Sequence, residues 1–494
     1  MAVTVISSGK VLSATKWSTI TELLSKLVVP ISSMILARLL APQIFGIVAS
    51  ISTVTSFCEI FIDAGFQKYI IQRKVQSDEE LKEIATIAFW TNLIISIVIF
   101  LIIWANSSKI AMLVGANGLA LPVVVASLIL PINAVMSIPN ALLRRALNFK
   151  VLFFIRIITV VTPFIVTLPI AYRTHSYWAL IIGNIVNAFF IACVTLIVAK
   201  WVPSWNFNFV KLKQMLSFSL WSMFEAFLIW IINWGDVFIV TFFLSEYYLG
   251  IYKTSMNMMN SVLAIISASI PPVLLSSLSC IQDNKREFKA LFYKFSYYTG
   301  ILLIPLGIGL FIYRETICEI LLGGNWMQGA LLMGTWGLVS AISILFSTFS
   351  GCVYIAKGMP KVSAIIQLVQ IVIIIPVVYY TVQINFDTLS YSRALVRIPG
   401  MIIHAIALWK LFYISVIHTV YLLKHVLFAA MVMALIGWGC TSLQLGLFFN
   451  ILSIFICMFA YTLIIFHKKE TRTHLLYFIK QNVPSIFRPK KSCN

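Results

Sequence analysis

Ten charged residues interrupt the long apolar runs of this sequence. The bases are Lys26, Arg38, Arg156, Lys253, Arg393 and Arg397, and the acids are Glu22, Glu59, Glu225 and Asp236. If these runs cross a membrane, a charge at the centre of a helix costs about 2.5–3.5 kcal/mol on insertion scales. Each charge then needs a partner, a water-filled cavity or a nearby helix end. The excess of bases over acids favours an anionic ligand over a cationic one.

Arg397 is the strongest candidate for binding that anion. It lies one helical turn after Arg393, on the same helix face and just before the kinking pair Pro399 and Gly400. A guanidinium binds two oxygens of a phosphate at once. We therefore predict that Arg397, assisted by Arg393 and Lys253, holds a phosphate-containing ligand. Arg156 and Lys26 are further candidates for substrate binding. For Arg38, Arg156 and Arg393, snorkelling to a nearby helix end is the favoured interpretation.

Two acid–base pairs are predicted within helical hairpins. Lys26 and Glu59 lie at similar depth on either side of Pro42, and Asp236 and Lys253 flank the turn at Ser245. Each pair can be structural or can contribute to a substrate site.

Aromatic and amide side chains lie near the second pair. Trp230, Asn233 and Trp234 share a helix face, where an aromatic plane and an amide could hold a sugar. Packing or interfacial anchoring is the alternative role for the two tryptophans.

Acids inside the apolar runs are candidates for ion coupling. These are Glu22, Glu225, Asp236 and Glu59. An intramembrane carboxylate can take up and release a proton during a transport cycle, and the alternative for Glu22 is simple pairing with Lys26.

The composition requires an integral membrane protein. Of 494 residues, 61% are hydrophobic and 11% are charged, whereas soluble domains carry about 25% charged residues. The net charge of +20 is then expected from basic cytoplasmic loops rather than from nucleic-acid binding. The eight cysteines show no metal-ligand spacing, and the sequence has no phosphate-binding loop of the GxxxxGK[ST] kind. We expect free thiols, no metal, no cofactor, no catalytic residues and no direct use of ATP.

The elements that position these residues are about fourteen membrane-spanning helices. The predicted spans are 19–40, 44–64, 84–104, 118–138, 151–172, 178–199, 218–244, 247–278, 296–317, 330–356, 362–382, 390–412, 425–444 and 447–466. Of the 36 basic residues, 27 lie on one side, three on the other and six within spans, which predicts that both termini are cytoplasmic. The acidic cluster at Asp78, Glu79 and Glu80, with Glu83, is expected to be a solvated helix start.

The two halves of the sequence resemble each other. Trp17-Ser18 matches Trp221-Ser222, and Gly46-Ile47 matches Gly250-Ile251, both at an offset of 204 residues. The alternative is that these hairpins are unrelated and only begin with similar residues. A duplication that gives two sets of six helices is typical of transporters. The predicted domains are an N-terminal lobe (1–215), a C-terminal lobe (216–415), two further helices (416–466) and a basic cytoplasmic tail (467–494).

Several motifs resemble those of bacterial polysaccharide exporters. They include Ala37-Arg38-Leu39-Leu40-Ala41-Pro42 with Phe45-Gly46, then Asp63-Ala64-Gly65-Phe66, Ile70-Ile71-Gln72-Arg73-Lys74, Leu249-Gly250-Ile251-Tyr252 and Gly323-Gly324-Asn325-Trp326. These exporters are lipid-linked oligosaccharide flippases of the multidrug/oligosaccharidyl-lipid/polysaccharide exporter superfamily, and the sequence is most similar to the colanic-acid-exporter type.

The resemblance implies a function as well as a fold. It implies two six-helix lobes around a central cavity, alternating access, and export of an undecaprenyl-diphosphate-linked oligosaccharide across the bacterial inner membrane. It also implies a proton or sodium gradient as the driving force, membrane lipid and polysaccharide polymerases as partners, and a role in lipopolysaccharide, O-antigen, capsule or exopolysaccharide synthesis. Lys253 departs from the family, which usually has neutral residues there.

Two other classes of protein remain open at this point. A polysaccharide polymerase or membrane glycosyltransferase would need a large or acid-rich outward loop, and a multidrug cation antiporter would need a net acidic cavity. The sequence favours neither, because the outward loops are short and the buried charges are mostly basic.

Overall fold

The computed structural model describes residues 8–63, 65–73, 75, 77–146, 148–205, 207–268 and 270–467, and every regular element in these ranges is helical. The chain divides into two compact units, Met1–Lys253 and Thr254–Asn494. The predicted basic tail lies almost wholly outside the described residues.

The first unit contains eleven helices and the start of a twelfth. They are α1 (Ser8–Leu39), α2 (Pro42–Asp63), α3 (Phe66–Gln72), α4 (Asp78–Ala105), α5 (Ser107–Leu113), α6 (Ala120–Ser127), α7 (Ile129–Arg145), α8 (Phe149–Thr162), α9 (Leu168–Thr174), α10 (Trp178–Ala199), α11 (Phe209–Phe243) and α12 (Glu246–Ser267). Helix α1 packs on α8, and α2 packs on α11 and α7.

The second unit continues from within α12. It contains α13 (Ile270–Cys280), α14 (Lys285–Ile312), α15 (Arg314–Leu321), α16 (Ala330–Ser343), α17 (Phe349–Ala356), α18 (Pro360–Val382), α19 (Phe386–Leu395), α20 (Arg397–Phe412), α21 (Val416–Leu422), α22 (Lys424–Ser442) and α23 (Leu447–His467). Helix α16 packs on α14 and α19, and α22 packs on α23 and α14.

The predicted membrane spans agree with these helices. Within the described residues, twelve spans are long and apolar enough to cross a bilayer, and α12 with α13 forms a thirteenth that is bent by 45°. That bent pair occupies the predicted span 247–278. The predicted span 19–40 lies in α1, part of which is outside the described side chains. The prediction of an all-helical, multi-pass fold is confirmed.

Several spans are interrupted. Pro163 begins a π-helical turn, Pro163–Thr167, between α8 and α9, and a second π-helical turn covers Ile344–Thr348 between α16 and α17. A proline cannot donate its backbone hydrogen bond, so the helix locally widens or bends. The span Phe386–Phe412 breaks at Val396, between α19 and α20.

The acidic cluster begins α4 as predicted. The Ser77 side chain accepts a hydrogen bond from the Glu80 backbone amide, and three acids occupy the first turn. Acids are stabilising there because the exposed amides at a helix start carry partial positive charge. Glu80 also lies 3.7 Å from the Arg73 guanidinium, and Glu83 pairs with Lys211.

The matched glycines of the two halves contact each other's helix starts. A Cβ on Gly46 would lie 1.8 Å from the Glu246 carbonyl oxygen, and a Cβ on Gly250 would lie 1.9 Å from the Pro42 carbonyl oxygen. Only glycine allows α2 and α12 to approach this closely. The contact is reciprocal.

Candidate functional site: cations held on tryptophan rings

Arg393 and Arg397 lie on the face of one buried tryptophan. The guanidinium carbon of Arg397 is 3.8 Å from the centroid of the Trp336 ring, and that of Arg393 is 5.0 Å from it. Trp336 and Arg393 are each 2% exposed. The break at Val396 separates α19 from α20, so the two arginines flank the break and reach the same ring on α16.

Two hydrogen bonds hold Arg397 and Trp336 in this arrangement. The Arg397 Nη1 donates to the Ser340 hydroxyl at 2.6 Å, and the Trp336 Nε1 donates to the Asn260 side-chain oxygen at 2.9 Å. A guanidinium over an aromatic ring can still donate its N–H groups to oxygen acceptors, as Arg397 does to Ser340. The arrangement is chemically suited to an anion with several oxygens, such as a phosphate or diphosphate.

The burial of Arg393 corrects one interpretation of the sequence. Snorkelling predicts an arginine that extends to the membrane surface, but this side chain is covered by protein. The reason is the packing of α16 on α19, which places Trp336 over the residue. Arg38, by contrast, is exposed in the last turn of α1, where a cation also interacts favourably with the helix dipole.

A second cation lies on a tryptophan in the first unit. The Lys253 Nζ is 3.7 Å from the centroid of the Trp234 ring and donates to the Asn233 carbonyl oxygen at 2.7 Å. The Lys253 residue is 9% exposed. Nearby on the same two helices, the buried Asp236 carboxylate accepts a hydrogen bond from the Tyr252 hydroxyl at 2.7 Å. The Asp236–Lys253 ion pair stays a prediction.

The third member of the predicted sugar-binding face contacts a different helix. The Trp230 Nε1 donates to the Ser56 hydroxyl at 3.1 Å, and its ring lies 5.0 Å from that of Phe57 and 5.8 Å from that of Phe238. The Asn233 side-chain amide donates to the Ile229 carbonyl oxygen of its own helix. Trp230 thus contributes to packing between α11 and α2, whereas Trp234 contacts the Lys253 cation.

The Lys26–Glu59 pair stays a prediction. The Glu59 carboxylate accepts a hydrogen bond from the Asn133 amide at 2.7 Å. Helix α1 packs on α8, whereas α2 packs on α11 and α7. Next to Lys26, the Ser25 hydroxyl accepts a hydrogen bond from the Arg156 Nε at 2.8 Å, which joins α8 to α1.

The two acids matched between the halves stay predictions. The side chains of Glu22 and Glu225 lie outside the described part of α1 and α11. Within the described residues, no group of three or more His, Cys, Asp and Glu side chains could hold a metal ion, and seven cysteines are free thiols.

One cavity is lined by residues around the start of α12. It has a volume of about 240 Å³ in the first unit and is lined by Ser50, Gly115, Thr241, Leu244, Ser245, Glu246 and Leu249.

Sequence reasoning missed the residues that hold the arginines. Trp336, Ser340 and Asn260 carry no motif, and the only available signal is a tryptophan set between glycines at Gly334 and Gly337. Their role depends on contacts between residues that are 57 or more positions apart in the sequence.

Comparisons with known proteins agree with this architecture. Residues 35–330 match the family described as "Polysaccharide biosynthesis protein". The chain is 24% identical over 375 residues to an uncharacterized membrane protein in the cps region of Klebsiella pneumoniae, covering 75% of this chain and 76% of that protein. It is 23% identical over 439 residues to the lipopolysaccharide biosynthesis protein WzxC of Escherichia coli (strain K12), covering 82% and 85%.

A solved structure has the same fold. The lipid II flippase MurJ, in an inward closed conformation, aligns with a TM-score of 0.71 at 13% identity, covering 90% of this chain and 97% of that one.

Proposed function

Since this chain belongs to the polysaccharide biosynthesis protein family, we propose that it is a flippase for a lipid-linked oligosaccharide with a diphosphate linkage. The substrate is an undecaprenyl-diphosphate-linked repeat unit that moves from the cytoplasmic to the periplasmic leaflet of the inner membrane by alternating access, coupled to an ion gradient. The fold shared with MurJ and the similarity to a lipopolysaccharide biosynthesis protein support the transporter class.

The observation that carries the proposal is the pair of arginines on Trp336. A diphosphate that crosses the bilayer must exchange its hydration shell for fixed donors, and charge-assisted hydrogen bonds from arginine are roughly twice as strong as neutral ones. Two guanidiniums on one buried ring supply these donors, while the ring stabilises their charge when no anion is bound. Lys253 on Trp234 is a similar cation in the first unit.

The other two classes receive less support from the same observations. A multidrug cation antiporter needs acids that attract its ligand, but arginines and a lysine line the tryptophan faces. A polymerase or glycosyltransferase needs a catalytic group in an outward loop, and the predicted outward loops are short.

The test removes Arg397 and measures export. Arg397→Ala removes charge-assisted hydrogen bonds worth about 1.5–3 kcal/mol, so we expect substrate affinity to fall about tenfold to hundredfold. Arg397→Lys keeps the charge but loses the planar fork, and its loss should be smaller yet measurable. The measurement is surface polysaccharide in the native host lacking the chromosomal copy, with membrane levels of each variant checked by immunoblot.

Arg314→Ala is the matched control. Arg314 also lies near an aromatic ring, at 5.4 Å from that of Phe311, but outside the membrane spans. The Arg314→Ala variant should support normal export. Normal polymer from well-expressed Arg397→Ala would contradict the proposal.

A further inference from the structure

A short helix between two membrane spans has an uncovered apolar face. Helix α21 has seven residues, about 10 Å in length, and it connects the span that ends at Phe412 to the span that begins at Lys424. Ile417, Val420 and Tyr421 are spaced so that they share one face of this helix, and they are 83%, 43% and 60% exposed. A helix this short cannot cross a bilayer, so it lies at the membrane surface.

The orientation of this face is fixed by α14. The Tyr293 hydroxyl accepts a hydrogen bond from the Ser415 backbone amide at 2.9 Å, and the rings of Tyr293 and His418 lie 4.7 Å apart. The Ser415 hydroxyl accepts a hydrogen bond from the His418 backbone amide at 3.3 Å, which caps the start of α21. Thr419, on the opposite side of the helix, is buried. The apolar face therefore points away from the protein.

Lysines on tyrosine rings flank the apolar face. At the end of the helix, the Lys424 Nζ lies 4.1 Å from the centroid of the Tyr421 ring. Before the helix, the Lys289 Nζ lies 5.4 Å from the centroid of the Tyr413 ring. A third base, Lys410, is exposed in the last turn of α20. Among the residues that the structure describes, none of these three lysines forms an ion pair.

The sequence around α21 is nearly free of acids. No aspartate or glutamate occurs between Asp387 and Glu470, and Glu287 is the one acid on α14, α20 and α22, which pack on α21. Retention of bases in cytoplasmic loops accounts for the lysines, but acids contribute little to membrane orientation, so the same rule does not account for their absence. The charge of this surface is complementary to an anion.

We propose that α21 is an interfacial helix that binds an anionic phospholipid. The face of Ile417, Val420 and Tyr421 packs on the acyl chains, as the apolar side of an amphipathic helix does at the headgroup boundary. The ammonium groups of Lys289 and Lys424 donate charge-assisted hydrogen bonds to the lipid phosphate.

A phospholipid fits both halves of this surface. A soluble anion would contact only the cations, and an apolar protein segment would contact only the apolar face. Lysine and tyrosine suit the headgroup level because each has an apolar body and a polar end. The site is separate from Arg393 and Arg397 and does not depend on the substrate that is exported.

The test locates the bound lipid by photo-crosslinking. The full-length protein is reconstituted in phosphatidylcholine nanodiscs that contain a small fraction of photoactivatable phosphatidylglycerol, or of photoactivatable phosphatidylcholine as the neutral probe. Adducts on α21 are mapped by peptide mass spectrometry. One lysine near a membrane surface favours an anionic lipid about fivefold. With two lysines, adducts on α21 should favour phosphatidylglycerol by roughly 25-fold at low occupancy.

Substitutions of lysine by glutamine test the assignment. Lys424→Gln should lower the preference for phosphatidylglycerol about fivefold, and the double variant Lys289→Gln/Lys424→Gln should lose nearly all of it. Lys150→Gln is the matched control, because Lys150 is an exposed lysine at the start of α8 in the first unit, and this variant should keep the full preference. A wild-type preference near one, or an unchanged preference in the double variant, would overturn the inference.

Two other results would assign the surface to a different occupant. If neither lipid forms adducts with α21 in the wild-type protein, the lipid assignment is wrong and the apolar face is left to a protein partner. Unlabelled phosphatidylglycerol should displace the anionic probe more strongly than farnesyl diphosphate does at the same concentration. The reverse order would assign the lysines to a polyprenyl diphosphate instead. Neither result affects the proposed function, which is tested at Arg397.

Discussion

The stacking of two arginines on Trp336 predicts unequal coupling energies. The perturbations are Trp336→Leu, Arg397→Met and Arg393→Met, combined in two double-mutant cycles on the free energy of unfolding. Each cycle cancels the effect of a single substitution, including the cavity left by the tryptophan and the removal of a buried charge, and isolates the ring–cation interaction.

The distances set the expected magnitudes. A desolvated cation on a tryptophan face is worth about 2 kcal/mol, and an exposed one about 0.5–1 kcal/mol. Arg397 lies 3.8 Å from the ring centroid and Arg393 lies 5.0 Å from it. The attraction of a charge to a ring quadrupole falls roughly with the cube of distance, so the Arg397 coupling should be about twice that of Arg393. We expect about 1–2 kcal/mol for Trp336 with Arg397 and about 0.5–1 kcal/mol for Trp336 with Arg393.

The assay is detergent-induced unfolding of the purified variants, followed by circular dichroism. A third cycle, of Trp336→Leu with Arg286→Met, is the control, because Arg286 is exposed at the start of α14. It should be additive within about 0.3–0.5 kcal/mol. A coupling for Arg393 equal to or larger than that for Arg397 would refute the distance argument, and couplings near zero for both would refute the stacking itself.

Other predictions concern helix contacts and topology. Gly46→Ala and Gly250→Ala place a Cβ against backbone oxygen less than 2 Å away, so each should lower stability by about 1–3 kcal/mol or more, whereas Gly351→Ala, with nothing within 4 Å, should be neutral or stabilising in thermal unfolding. In intact cells, an impermeant maleimide should label Asn117→Cys but not Asn284→Cys, and the reverse result would overturn the predicted orientation. Native Cys318 should not interfere, because burial raises the pKa of its thiol to about 12 and leaves little thiolate at neutral pH.

Hydropathy and length along the chain are enough to predict the class of fold and most of the span boundaries. Each span satisfies its own backbone hydrogen bonds, so hydropathy and length suffice to locate it. The start of α4 at Ser77 and the interruption at Pro163 could be predicted for the same reason, since a cap and a proline act on the local backbone.

Which side chains contact each other depends on how the helices pack. Lys26 and Glu59 have matching depths, but depth alone did not show that the Glu59 carboxylate accepts a hydrogen bond from the Asn133 amide. Arg393 and Arg397 were recognisable as bases on one helix face, but the ring that holds them comes from α16, about 60 residues earlier. Helix rotation and neighbour choice in a bilayer depend on packing over the whole bundle, because lipid is as apolar as the side chains and provides no local hydrophobic signal.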